Sequence, residues 1–147
     1  MTDQLASKEI KEKIIIALDV KNQVEARKIL SSLPEATIFK VGLELFTAEG
    51  PAMIELVRSY DRQVFLDLKL HDIPNTVAGA VRAAVRPGVS MLTLHTSGGK
   101  EMMSRAIEAA REESEKSSLD LPLLLGVTVL TSLKDKDLEE IGFSSGS

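Results

Sequence analysis

The chain contains no cysteine. Disulfide frameworks, zinc–thiolate centres and cysteine nucleophiles are therefore excluded. Its two histidines are too few for a histidine-rich metal site. Aromatic residues make up 3%, with no tryptophan, and the formal net charge is −4. A nucleic-acid surface needs a basic patch and stacking partners for bases, and this composition supplies neither. No apolar run approaches the roughly 20 residues that cross a bilayer. Met1 to Lys13 is polar and charged, without the apolar centre of a signal peptide. A soluble cytoplasmic protein is the expectation. There is also no Walker-type phosphate loop and no Ser–His–Asp arrangement.

What is present is an ordinary globular balance, 44% hydrophobic and 27% charged over 147 residues. That suits one domain spanning residues 1–147. Residues 1–13 read as a loose lead-in, with at most a short amphipathic turn. Lys13 to Asp19 is a continuous apolar run ending in an acid, the pattern of a strand buried on both faces. Asn22, with Glu25 three residues on, caps a helix carrying Ala26, Ile29, Leu30 and Leu33, and Pro34 ends it. Further strands are predicted at Thr37–Val41, Gln63–Leu68, Ser90–His95 and Leu121–Leu130. Helices are predicted around Met53–Val57, over Val77–Val85 after Pro74, and from Gly98-Gly99 along the stripe Met103, Ala106, Ile107 and Ala110. The last of these frays into the charged run Arg111–Ser118, and Ser132 caps a final short helix with Leu138 and Ile141. Strands thus begin near 14, 37, 64, 91 and 123, five βα units in tandem. Two architectures fit: a complete five-stranded doubly wound sheet, or about five-eighths of a (β/α)8 barrel.

Asp19, Lys40, Asp67, Lys69, His95 and Thr131 all fall at or just past C-terminal strand ends, where both architectures place active sites. One such residue satisfies a loop or caps a helix. Five successive strands each offering one is harder to explain that way. The densest cluster is Asp67, Lys69 and Asp72. In an extended strand, residues two apart share a face, so Asp67 and Lys69 project together with Asp72 just beyond. Charges at the mouth of a hydrophobic strand cost solvation energy. Flanking acids favour the ammonium form of a lysine, which argues against a Schiff-base nucleophile. An ammonium suits proton donation to a developing carbanion, or its electrostatic stabilisation. Paired acids also bind divalent metals, although the close lysines would compete. Gly98-Gly99 is a turn or a weak anion cradle, and His71 is a loop residue.

The stretch Asp67-Leu68-Lys69-Leu70-His71-Asp72-Ile73-Pro74-Asn75-Thr76 resembles the signature of the orotidine 5′-phosphate decarboxylase family. Ala17-Leu18-Asp19, Phe39-Lys40-Val41-Gly42 and Val127-Thr128-Val129-Leu130-Thr131-Ser132 agree with it in order and spacing, over residues 13–143. The resemblance implies the (β/α)8 (TIM) barrel, with about five of its eight units in this chain. It implies loss of CO2 from orotidine 5′-phosphate to give UMP, with no metal and no organic cofactor. Lys69 would donate the proton to C6, and Asp67 would lie against the substrate carboxylate. Lys40 and Asp19 would contact the ribose hydroxyls and hold the charge network, with Lys40 and Asp72 counted among the catalytic residues beside Lys69 and Asp67; the signature residues through Thr76 would line the substrate, and Thr131 would line the pocket. The family shares its sites across a homodimer, so Asp72, with Ile73 and Thr76, would serve the partner. Length is the departure: the family's later loops supply the phosphate grip. Binding energy from such a remote group lowers the barrier at the reacting centre, so this chain alone is expected to be inactive. A magnesium-dependent sugar-phosphate decarboxylase or aldolase of the same superfamily shares the Asp-x-Lys-x-x-Asp core, but Ile73-Pro74-Asn75-Thr76 favours the nucleotide enzyme. A half barrel acting only as an assembly piece is the non-enzymatic alternative.

Overall fold

A computed structural model of the protein describes residues 13–143. The expected lead-in turn falls largely outside them. The described elements are β1 (Ile15–Ala17), α1 (Gln23–Ser32), β2 (Ile38–Gly42), α2 (Leu43–Glu49), α3 (Ala52–Ser59), β3 (Gln63–Leu70), α4 (Pro74–Val85), β4 (Met91–His95), a 3-10 turn (Thr96–Gly98), α5 (Gly99–Ser117), β5 (Leu123–Val127) and α6 (Asp135–Glu140). All five strands are parallel and pair in the order β1-β2-β3-β4-β5. A doubly wound sheet reverses its strand order part-way, which sends helices to both faces. Here the order never reverses, and right-handed crossovers keep the helices on one face. This is the winding of a TIM barrel, and the sheet is a partial one.

The core confirms that one-sidedness. Leu18, Phe39, Val41, Val64, Leu66, Leu92 and Leu94 form one cluster with buried helix residues such as Leu30, Met53, Val57, Val81 and Ala106. Fully burying each large side chain contributes about 1.5–3 kcal/mol. Strand residues of the opposite parity face away from the helices, and Ile15, Leu123 and Leu125 among them are exposed.

Local chemistry accounts for most boundaries. Asn22 Oδ1 accepts the Glu25 N–H at 3.0 Å, the predicted cap of α1. Pro74 occupies the first turn of α4, where its missing N–H is no loss. Four expectations change. Helix α2 was not foreseen. The buried stripe of α5 is Met102, Ala106, Ala109, Ala110 and Glu113, and Ile107 is exposed. Rather than fraying after Arg111, α5 stays helical to Ser117, and Arg86, at the C-terminal cap of α4, bonds the buried Glu113 carboxylate through Nε at 2.9 Å. The last helix is capped at Lys134, whose N–H donates to Asp137 Oδ2 at 2.8 Å, and not at Ser132.

Candidate active site

The site forms at the C-terminal end of the sheet, around a defect in β3. Phe65 and Leu66 pair with Met91 and Leu92 in ordinary register, but the next pair is Leu70 with Leu94. Three residues of β3, Asp67, Leu68 and Lys69, are therefore set against the single residue Thr93 of β4. Lys69 lies inside this bulge with φ 51°, in the left-handed region. Bulges bend a strand and re-aim side chains beside active sites. The predicted meeting of Asp67 and Lys69 on one face occurs, with Leu66, Leu68 and Leu70 on the other, and the bulge adds a local re-aiming of Lys69.

Lys69 Nζ donates to both carboxylate oxygens of Asp67, at 2.8 Å each. Thr93 Oγ1 on β4 donates to Asp67 Oδ1 at 2.8 Å. The same Oγ1 accepts the Lys69 backbone N–H at 2.9 Å. Burial by itself pushes the Asp67 carboxyl up. The hydrogen bonds from Lys69 and Thr93, with the charges of Lys69 and Lys40, outweigh burial and hold it below its ordinary range. On the β1–β2 side, Lys40 Nζ donates to the exposed Asp19 at 3.1 Å. Gly42 makes room for that lysine, since a Cβ there would stand 3.3 Å from Nζ.

Two clefts meet at the Asp67–Lys69 pair. One, about 380 Å³, is bounded by Asp19, Lys40, Gly42 and Leu45. The other, about 460 Å³, is bounded by Phe65, Thr93, Val127 and Thr131. The structure thus sets Asp19 and Lys40 on one cleft and Thr131 on the other, with Asp67 and Lys69 lining both. The rest of the signature lies elsewhere. Leu68 and Leu70 pack against the helix-side core. His71 is exposed, with its ring centroid 5.3 Å from that of His95. Asp72 is exposed, and its Oδ1 accepts the Ile73 N–H at 2.7 Å. Ile73, Pro74 and Asn75 border a separate groove of about 340 Å³ between α4 and α5, and Thr76 is exposed. Within one chain, then, Asp72 does not join the Asp67–Lys69 pair. Among the described residues, no group of three or more His, Asp or Glu is arranged to hold a metal ion.

Thr93 lies in mid-strand, away from the strand ends at which polar residues mark a site in this fold. The available signal was a lone hydroxyl inside the apolar run Met91-Leu92-Thr93-Leu94.

Chemically, an ammonium held against a carboxylate at the junction of two clefts can deliver a proton to a substrate atom placed between them. The carboxylate stays anionic and repels a second anion brought beside it.

Comparison with known proteins adds the following. The profile of the family described as "Orotidine 5′-phosphate decarboxylase / HUMPS family" matches residues 12–145. The chain is 52% identical over 134 residues to the orotidine 5′-phosphate decarboxylase of Moorella thermoacetica, covering 90% of this chain and 53% of that protein. It is 46% identical over 127 residues to the enzyme of that name from Nostoc sp., covering 86% and 53%. The crystal structure of orotidine 5′-phosphate decarboxylase from Lactobacillus acidophilus superposes with a TM-score of 0.78 at 36% identity, covering 88% of this chain and 59% of that one. The chain spans about half the length of the curated relatives it matches.

Proposed function

The chain belongs to the orotidine 5′-phosphate decarboxylase / HUMPS family, and on that premise we propose that it is the N-terminal part of an orotidine 5′-phosphate decarboxylase. The observation that carries this reading is Lys69 Nζ, 2.8 Å from both oxygens of Asp67 at the C-terminal end of the third strand. The substrate's C6 carboxylate lies beside Asp67 and is repelled by it. The C6–carboxylate bond breaks, CO2 leaves, and the electron pair stays on C6. A proton from Lys69 Nζ then goes to C6, and solvent restores the ammonium. A repulsion present with the substrate and absent after CO2 departs speeds the reaction, because only differences between ground and transition state count. Lys40 and Asp19 hold the ribose hydroxyls, and Thr131 lines the second cleft. The chemistry runs on side chains, with no metal or organic cofactor. Asp72, Ile73 and Thr76 serve the neighbouring site of a homodimer; their exposure, and the 67% exposure of Ile73 in particular, supports this.

The test is a chimera in which this chain replaces the aligned part of the Moorella thermoacetica enzyme. It is expected to consume orotidine 5′-phosphate, followed by loss of ultraviolet absorbance, and to be insensitive to a chelator. Lys69→Ala in the chimera is expected to lose at least about 1,000-fold in rate, the upper part of the range for a positioned proton donor. Turnover close to the parent's would refute the role of Lys69.

A further inference from the structure

The buried Thr93 hydroxyl is used twice, once as donor and once as acceptor. A hydroxyl has one proton and two lone pairs, so the two bonds do not compete. Each partner needs what Thr93 provides. The Asp67 carboxylate could turn about its terminal torsion, which is broad for this side chain. The Lys69 N–H lies inside the register slip, on a non-glycine residue in the left-handed region, a conformation that persists only where surroundings impose it. These partners are 26 and 24 residues from Thr93 in sequence, so β3 alone could not supply the link.

We propose that Thr93 is the positioning residue of the site: one hydroxyl ties the Asp67 carboxylate to the bulged backbone at Lys69, and so fixes where the ammonium meets the carboxylate. The tie is a property of this chain; its consequence for turnover rests on the decarboxylase reading. A hydroxyl that merely satisfied itself would affect stability alone. A positioning hydroxyl also governs the titration of Asp67 and the protection of the Lys69 amide.

The experiment compares Thr93→Val, which keeps the shape and removes the hydroxyl, with Thr93→Ser, which keeps the hydroxyl. The Asp67 carboxyl is titrated by carbon NMR and Lys69 amide exchange is measured in the same chain. Thr93→Val is expected to raise the Asp67 midpoint, since the hydrogen bond from Thr93 helps to lower it, and to speed Lys69 exchange at least about tenfold. Thr93→Ser is expected to match the parent in both. Parent-like values in Thr93→Val, or equal effects in both variants, overturn the proposal. Should Thr93→Val fail to fold, Thr93→Ala carries the same readouts against Thr93→Ser. In the active chimera, Thr93→Val should lower kcat at least about tenfold with little change in KM, and an unchanged kcat also overturns the proposal. The NMR arms need no substrate, so an inactive chimera with the Asp67 shift intact counts against the decarboxylase reading and not against Thr93.

Discussion

Asp67 sits in a strand whose neighbours Val64 and Leu66 are fully buried, yet it is held as an anion. Desolvation opposes that state, and only the combined donors and charges of Lys69, Thr93 and Lys40 reverse it. The consequence for stability has a definite sign. The folded carboxyl titrates below its ordinary value of 3.8, so the folded state binds its proton less readily than the unfolded chain does. The network's contribution is complete above the unfolded value and is lost as pH falls through the folded one. Chemical denaturation from neutral pH down to the acid limb should show this loss in the parent. In Asp67→Asn the part of the slope due to this group should be absent, and an unchanged acid limb would contradict the assignment. The pair Asp67–Lys69 was legible in the sequence because its members are two residues apart and any strand-like path joins them. Thr93 was not, because its bonds depend on a bulge and on partners more than 20 residues away.

Elements were legible where burial leaves an unmistakable pattern. The five strands are short apolar runs ending in polar residues and all five are found, although β5 covers only Leu123–Val127 of the expected Leu121–Leu130 and β3 runs on past Leu68 to Leu70. Helix α2 was hidden because only Leu45 of its seven residues is buried, while Leu43 is 61% exposed, so it has no apolar stripe to read. The C-terminal half of α5 was misjudged for a different reason. Its charges suggested a solvated end, but Glu113 faces α4, where Arg86 Nε at 2.9 Å and Nη2 at 3.4 Å take both carboxylate oxygens. A bidentate partner 27 residues away is invisible to periodicity. The hydrogen bond from Arg86, against the opposing effect of burial, holds the Glu113 carboxyl below its ordinary range. A nearby control is the Arg82–Glu112 pair, at 2.8 Å but with Glu112 well exposed. Exposed pairs contribute little; Arg86 is itself largely exposed, but removing it leaves the buried Glu113 carboxylate without its bidentate partner, whereas Glu112 stays in water. Arg86→Ala should therefore lower the melting temperature clearly more than Arg82→Ala. Equal effects would mean that the α4–α5 contact rests on its apolar residues alone.

For the whole molecule, periodicity left the barrel and the doubly wound sheet open, since both are built from βα units. Strand order decides between them, and no local pattern encodes strand order. The same architecture leaves Asp72 exposed and apart from the Asp67–Lys69 pair of its own chain, which gives the proposed homodimer a direct test. Mixed Lys69→Ala and Asp72→Asn chimeras should regain activity that neither has alone, approaching about a quarter of the parent's if two-fold dimers exchange freely, with one intact site in each hybrid. No recovery would place Asp72 in its own subunit's chemistry or outside it altogether. The open sheet has a further consequence. Among the described residues β1 and β5 each pair on one side only, so both present unpaired backbone along a parallel edge. Beside those edges Ile15 is 40% exposed, Leu123 63% and Leu125 38%. Unpaired edges flanked by apolar side chains recruit other strands. The isolated chain should therefore gain mass with concentration in sedimentation. Leu123→Lys, a charge at the β5 edge, should shift it towards the monomer and leave the melting temperature nearly unchanged, because the side chain it replaces is largely in water. Adding the separately made remainder of the Moorella thermoacetica enzyme should suppress self-association in the parent by occupying the same edges. If the mass of the parent is independent of concentration, the edges are not adhesive and the half barrel is stable as a monomer.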